Sequence, residues 1–149
     1  MYSHILIPTD GSEVAQKGVD HGLSLAKALG AKVTVVTITE RLPLYAGSIG
    51  FEYAMSEAAM AEYIADQKNA ANAALAAATQ SADRLGISAE TLHVPDAQPA
   101  EAIIEAAKSR NCSLITMASH GRRGLGRLLL GSTTSEVLAH SPVPVLVVR

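Results

Sequence analysis

Short β-branched runs and helical stretches alternate along the whole chain, and that alternation narrows the fold more than any other feature. His4-Ile5-Leu6-Ile7-Pro8 is a short apolar run, read as a buried strand. Thr9-Asp10-Gly11-Ser12 is turn chemistry, and Ser12 with Glu13 opens a helix. Val14, Val19, Leu23, Leu25 and Leu29 give that helix an approximate apolar face, and Gly30 ends it. The β-branched stretch from Lys32 to Ile38 fits a second strand. Residues from about Thr39 to Ser56 hold Pro43, Gly47 and Gly50 without a clear period, and so read as a long loop. An Ala-rich helix follows from Glu57 to Leu85, with Met60, Ile64, Ala71, Leu75, Ala78 and Leu85 as expected core contacts and Gly86 as its stop.

The rest of the chain repeats the pattern. Thr91 to Val94 reads as a third strand and Pro99 to Ala107 as a helix, with Pro99 in the permitted first turn. Ser113 to Ala118 reads as a fourth strand, Ser132 to His140 as a short helix, and Val143 to Val148 as a fifth strand. The order βαβαβαβαβ predicts an α/β fold: one doubly wound, five-stranded parallel sheet with helices on both faces. Pro144 has no N–H for a ladder, so the last strand belongs at an edge. An edge that apolar needs cover, and a second copy of the chain is the simplest cover. This predicts a homodimer.

The chain's 149 residues suit one domain, 1–149, with one core. Aromatic residues make up 3% and Trp is absent, so the core is aliphatic and a base-stacking platform is disfavoured. The net charge of −2 and the lack of a long basic run argue against nucleic acid as a partner. No apolar run is long enough to span a bilayer and no leader-like segment opens the chain, so the expected location is cytoplasmic, with no membrane partner. The lone Cys112, before an apolar run, reads as a small unreactive residue at a strand entrance.

Chemistry concentrates in the loop after the fourth strand. It holds His120, Gly121, Arg122, Arg123, Gly124, Gly126 and Arg127, and it ends in Gly131-Ser132-Thr133-Thr134 at a helix start. Glycines let a backbone approach a ligand, and a helix N-terminus offers free N–H groups and partial positive charge. Together they point to an anion cradle. It is not a P-loop, because Ser132 stands where that motif needs Lys. Arg122, Arg123 and Arg127 either screen phosphate or are simply solvated. Asp10 either accepts from a ribose hydroxyl or an adenine amine, or caps its own turn. His120 either approaches the ligand or is an ordinary loop residue. The five His are scattered, with no metal-ligand spacing, and no nucleophile elbow occurs, so no catalytic residue and no metal site is expected.

Several of these segments resemble the universal stress protein family, over essentially the whole chain. They are Ile5 to Ser12, Val94 to Ile103 with Pro99 and Ala100, Leu128 to Ser132, and Pro142 to Val148. That family's nucleotide-binding branch carries G-x2-G-x9-G-[ST]. Gly121, Gly131 and Ser132 fit it, while Ala118 stands at the first glycine. The resemblance implies a Rossmann-like, adenine-nucleotide-binding sheet that takes ATP or AMP, with Mg²⁺ compatible with ATP. Asp10 and Ile38 would hold adenine and ribose; Gly121, Gly131, Ser132 and Thr133 would hold phosphates. The full expected site is Pro8, Thr9, Asp10, Ile38, Met117, Ala118, His120, Gly121, Arg122, Gly124, Arg127, Gly131, Ser132 and Thr133. The resemblance also implies antiparallel pairing of the last strands in a dimer. The function expected is a stress-response or regulatory module with little or no catalysis. The alternatives are a nucleotide-free dimeric interaction protein and a slow ATPase.

Overall fold

The computed structural model describes residues 1–40, 57–120 and 130–149. Five strands alternate with four helices: β1 (His4–Pro8), α1 (Glu13–Leu29), β2 (Lys32–Ile38), α2 (Glu57–Arg84), β3 (Ala89–Val94), α3 (Pro99–Ser109), β4 (Leu114–Ala118), α4 (Ser132–His140) and β5 (Val145–Val148). All strand pairs are parallel, in the order β3-β2-β1-β4-β5. The chain winds outward from β1 to β3, then crosses back to β4. The strand order therefore reverses between β1 and β4, the place where open α/β sheets take ligands.

Strand alternation sorts the core into two layers. Ile5, Ile7, Val33 and Val35 face one side with Val19, Leu23 and Leu75, under α1 and α2. Leu6, Val36, Ile115 and Met117 face the other side with Ile103 and Val137, under α3 and α4. Strands covered on both faces need buried residues at successive positions; β1 supplies Ile5 to Ile7, and β2 supplies Val33, Val35 and Val36 with the buried Thr34 and Thr37.

The helix faces differ from expectation in an instructive way. The buried stripe of α1 is Ala15, Gly18, Val19, Gly22, Leu23 and Ala26, a regular helical face built largely of small residues. Leu29, expected on that face, is 46% exposed. Close approach accounts for the small residues of the stripe. A Cβ on Gly18 would sit 2.8 Å from the Ala118 backbone N, and one on Gly22 would sit 2.7 Å from Ile7 Cδ1. In α2, Ala71, Leu75 and Ala78 are buried as expected, but Ile64 is 59% exposed. Burial in α2 begins only at Ala71, so its N-terminal half lies off the core.

Element ends also shift. β5 begins at Val145 rather than Val143. Ser141 Oγ donates to Val143 O at 2.7 Å and accepts the Val143 N–H at 3.2 Å, which holds a local turn, and Pro144 has no N–H to add to the ladder. β4 starts at Leu114 rather than Ser113; Ser113 Oγ instead takes the Ser3 and His4 N–H groups. β3 begins two residues earlier than expected, at Ala89, and α3 runs on to Ser109. β5 does lie at the edge.

One buried hydroxyl, Thr116 Oγ1 in β4, has no hydrogen-bond partner among the described residues. Leaving such a group unpaired costs about 1–3 kcal/mol, and a methyl in its place removes that cost. Thr116→Val is therefore expected to raise unfolding free energy by about 1 kcal/mol in a urea titration. A clear loss of stability would show that the hydroxyl is satisfied in solution.

Candidate functional site

Three chain segments meet at the C-terminal ends of β2, β1 and β4, which are adjacent strands. The first is the turn after β1. Pro8 ends that strand with no N–H on the β4 side, while the ladder to β2 continues through Thr9 N–H, which donates to Val36 O at 2.9 Å. Thr37 Oγ1 donates to Thr9 O at 3.0 Å, and Thr9 Oγ1 accepts the Gly11 N–H at 3.2 Å. Asp10 Oδ1 accepts the Ser12 N–H at 2.9 Å, and Ser12 Oγ in turn caps α1 by accepting from Ala15 N–H. The turn-capping role of Asp10 is thus real. It also fixes the carboxylate, half-buried, at the sheet's end.

The second segment follows β2. Ile38 is half-buried and packs against the layer under α3. Beside it Thr39 Oγ1 pairs with His93 Nε2 at 2.9 Å. Burial, and then the Lys68 ammonium, hold the His93 imidazole below its usual pKa.

The third segment follows β4. Met117 and Ala118 are buried and pair with Val147 and Val148 of β5. Among the described non-glycine residues only Asp96 and Asn111 have positive φ, so Ala118 sits in ordinary strand backbone and its methyl strains nothing. Ser119 N–H donates to Val148 O, and Gly131 N–H donates to Ser119 O, both at 2.8 Å. Thr134 Oγ1 donates to Ala118 O at 3.1 Å. These bonds tie the start of α4 directly to the end of β4. Ser119 Oγ also pairs with His120 Nδ1 at 2.9 Å.

Gly131 is the N-cap of α4, with φ −61, and it supplies no side-chain cap. Its need for glycine is therefore spatial: a Cβ would meet His120 Cα and Cβ at 3.2 Å. Gly131 has no side chain to cap them, so the first-turn N–H groups of Ser132 and Thr133 lie at the positive end of the helix with no cap from the N-cap residue. The Gly131 N–H, by contrast, is spent on Ser119. The sheet end thus brings together Pro8, Thr9, Asp10, Ile38, Met117, Ala118, His120, Gly131, Ser132 and Thr133. Gly121, Arg122, Gly124 and Arg127, with Arg123, lie outside the described residues, as does the loop expected up to Ser56 beyond Glu40.

Sequence reasoning missed the buried hydroxyls of Thr37, which ties the end of β2 to the Thr9 carbonyl, and Thr134, which ties α4 to the Ala118 carbonyl, and it missed Gly18, on which α1 abuts Ala118. A single Thr in an apolar run carries no signal of what its oxygen will meet. Cys112 is buried and its thiol is pushed up to about 11, chiefly by burial, so it stays protonated and unreactive near neutral pH. No helix among the described residues is long and apolar enough to cross a membrane. A groove in the described surface lies elsewhere, between β3 and α3.

Comparison with known proteins agrees with this fold. The sequence model of the universal stress protein family matches residues 1–149. A universal stress protein of Thermus aquaticus is 32% identical over 149 residues, covering all of both chains. The universal stress protein UspA from Lactobacillus plantarum superposes with a TM-score of 0.74 at 26% identity, covering 99% of this chain and 98% of its own. A universal stress protein solved in complex with cAMP has the same fold, with a TM-score of 0.69 at 24% identity and coverage of 99% and 97%.

Proposed function

Because the chain belongs to the universal stress protein family, we propose that it is a stress-response module that binds ATP or AMP at the β1–β4 end of the sheet. One observation carries this reading: the Asp10 turn, Ile38 and the uncapped start of α4 converge where the strand order reverses. Asp10 and Ile38 take the adenosine, and the Ser132 and Thr133 N–H groups take phosphate oxygens. Mg²⁺ accompanies ATP on the phosphates. A relative of the same fold was solved with cAMP, which is the same ligand class. Gly121, Arg122, Gly124 and Arg127 complete the phosphate side. Mass spectrometry of natively purified protein, searching for retained ATP, ADP or AMP, tests the reading.

Asp10 gives a sharper test, because its two roles separate. One carboxylate oxygen holds the Ser12 N–H. Asn keeps one acceptor oxygen and turns the other into a donor. Asp10→Asn should therefore keep the turn, yet weaken ATP and AMP alike by about tenfold or more, the worth of one charged hydrogen bond. Calorimetry with both ligands reads this. Full affinity in the Asn variant would leave Asp10 as a turn residue only.

The module acts as a homodimer through antiparallel pairing of β5. The four residues of that strand are half-buried and its outer edge pairs with no described strand. Sedimentation at micromolar concentration should give a dimer. Val147→Pro, which removes an N–H that faces the outer edge because Val148 bonds inward to Ser119, should give a lighter species, with circular dichroism to confirm folding. A native chain that sediments as a monomer would refute the pairing.

A further inference from the structure

Every polar group of Thr39 is bonded to β3 or to the turn after it. Its N–H donates to Val94 O at 3.0 Å, and its carbonyl accepts the Ala97 N–H at 3.2 Å. Its Oγ1 pairs with His93 Nε2 at 2.9 Å. Thr39 directly follows Ile38, which the nucleotide reading places on adenosine, and Ile38 itself is in register with Val94. The end of β2 is therefore held from β3, and one of its ties is a side chain that can take up a proton.

Leu92 and Val94 join the layer under α3, so His93 between them faces α2, which packs on β3. The ring is half-buried there. Among the described residues, Lys68 of α2 is the charge that acts on it. Its neighbours on β2 are its register partner Thr37 and the bonded Thr39, and neither titrates. Of the carboxylates near in sequence, Glu40 follows Thr39, Asp96 lies in the turn after β3, and Glu90 is on the opposite face of β3, paired with Arg110.

We propose that His93 is a positioning residue for the nucleotide site: its imidazole, tied to Thr39, holds the end of β2 in place for adenosine, and its protonation releases that end and weakens binding. The role rests on the nucleotide reading and adds a pH-dependent control to the same site. Burial and Lys68 both disfavour the imidazolium, so the ring is neutral near pH 7. Neutral, Nε2 either accepts the Thr39 O–H or donates to its oxygen, according to the tautomer. As the pH falls below about 6 the ring gains a proton, and Nε2 can then only donate. The imidazolium also faces the Lys68 ammonium in a half-buried place, and it relieves both costs by moving out towards water. Thr39 loses its side-chain tie, and Ile38 loses its fixed place beside it.

Calorimetry with ATP at about pH 7.5 and about pH 5 tests this, with circular dichroism to confirm folding. The phosphates of ATP titrate in this range too, but equally for every chain compared. At the higher pH, His93→Ala and Thr39→Val should each bind about fivefold more weakly than the native chain, the worth of one hydrogen bond. His93→Gln, whose amide can reach Thr39, should recover part of that loss. On acidification the native chain should lose about fivefold more affinity than His93→Gln, which takes up no proton. By reciprocity, adenosine, which carries no phosphate, should lower the pH at which His93 titrates in proton NMR. Equal pH profiles for the native chain and His93→Gln, or a His93 titration that bound adenosine leaves unmoved, would overturn the positioning role and leave the nucleotide site standing. A native chain that binds ATP at neither pH would remove the nucleotide reading and this role with it.

Discussion

Gly18→Val is expected to lower the stability of this chain by about 3 kcal/mol, the upper part of the range for overpacking a well-filled core. For a domain of this size that is a fall in Tm of about 6–12 °C. The first added carbon would already stand 2.8 Å from the Ala118 backbone N and 3.2 Å from the Met117 carbonyl carbon. Neither contact is a side-chain tip that can swing away. Either α1 lifts from β4, opening the layer that holds Val19 and Leu23, or the end of β4 moves. Moving β4 disturbs Ser119 and the start of α4 bonded to it, so nucleotide affinity should fall with stability. Gly18→Ala should do the same to a smaller degree. Differential scanning calorimetry is the measurement, and an unchanged Tm for Gly18→Val would show that α1 does not pack on β4 as described.

Gly131→Val is expected to cost about 3 kcal/mol of nucleotide binding, about 100-fold in Kd, as two charge-assisted N–H contacts are lost. Its Cβ would press on His120 at 3.2 Å, and its branches would press further, tilting the first turn of α4. The Ser132 and Thr133 N–H groups move with that turn. The variant separates the cradle from the fold, because Gly131 is only half-buried and its φ of −61 suits any residue. Calorimetry with ATP, alongside circular dichroism, tests this. A folded variant with native affinity would remove the start of α4 from the site.

The parallel sheet was legible because the evidence for it is local. Runs such as Lys32 to Ile38 cannot pair a polar face with water, so they must be covered on both sides. The stretches between them carry helix periods and caps, such as Ser12, Pro99 and Gly30. The site was legible in outline for a related reason. Turn chemistry directly after a strand, and a glycine before a helix, are one-dimensional patterns with a fixed meaning in a parallel sheet. Ala118 shows the limit. At a position where the family pattern has glycine, the backbone proves to be plain strand, and only coordinates reveal that no left-handed φ was needed.

What the sequence by itself determined was therefore the periodicity: which segments are strands, which are helices, and that β5 lies at an edge. What only the tertiary structure decided was which atoms touch. The buried face of α1 is made of Ala and Gly, which carry little hydropathy signal, because the helix approaches β1 and β4 too closely for larger side chains. Large residues announce burial in a sequence, while small ones announce it only when a neighbour is seen to fill the space they leave. The same holds for the hydroxyls of Thr37 and Thr134: each is satisfied by a carbonyl on a neighbouring segment, so its bond exists only once the sheet has assembled.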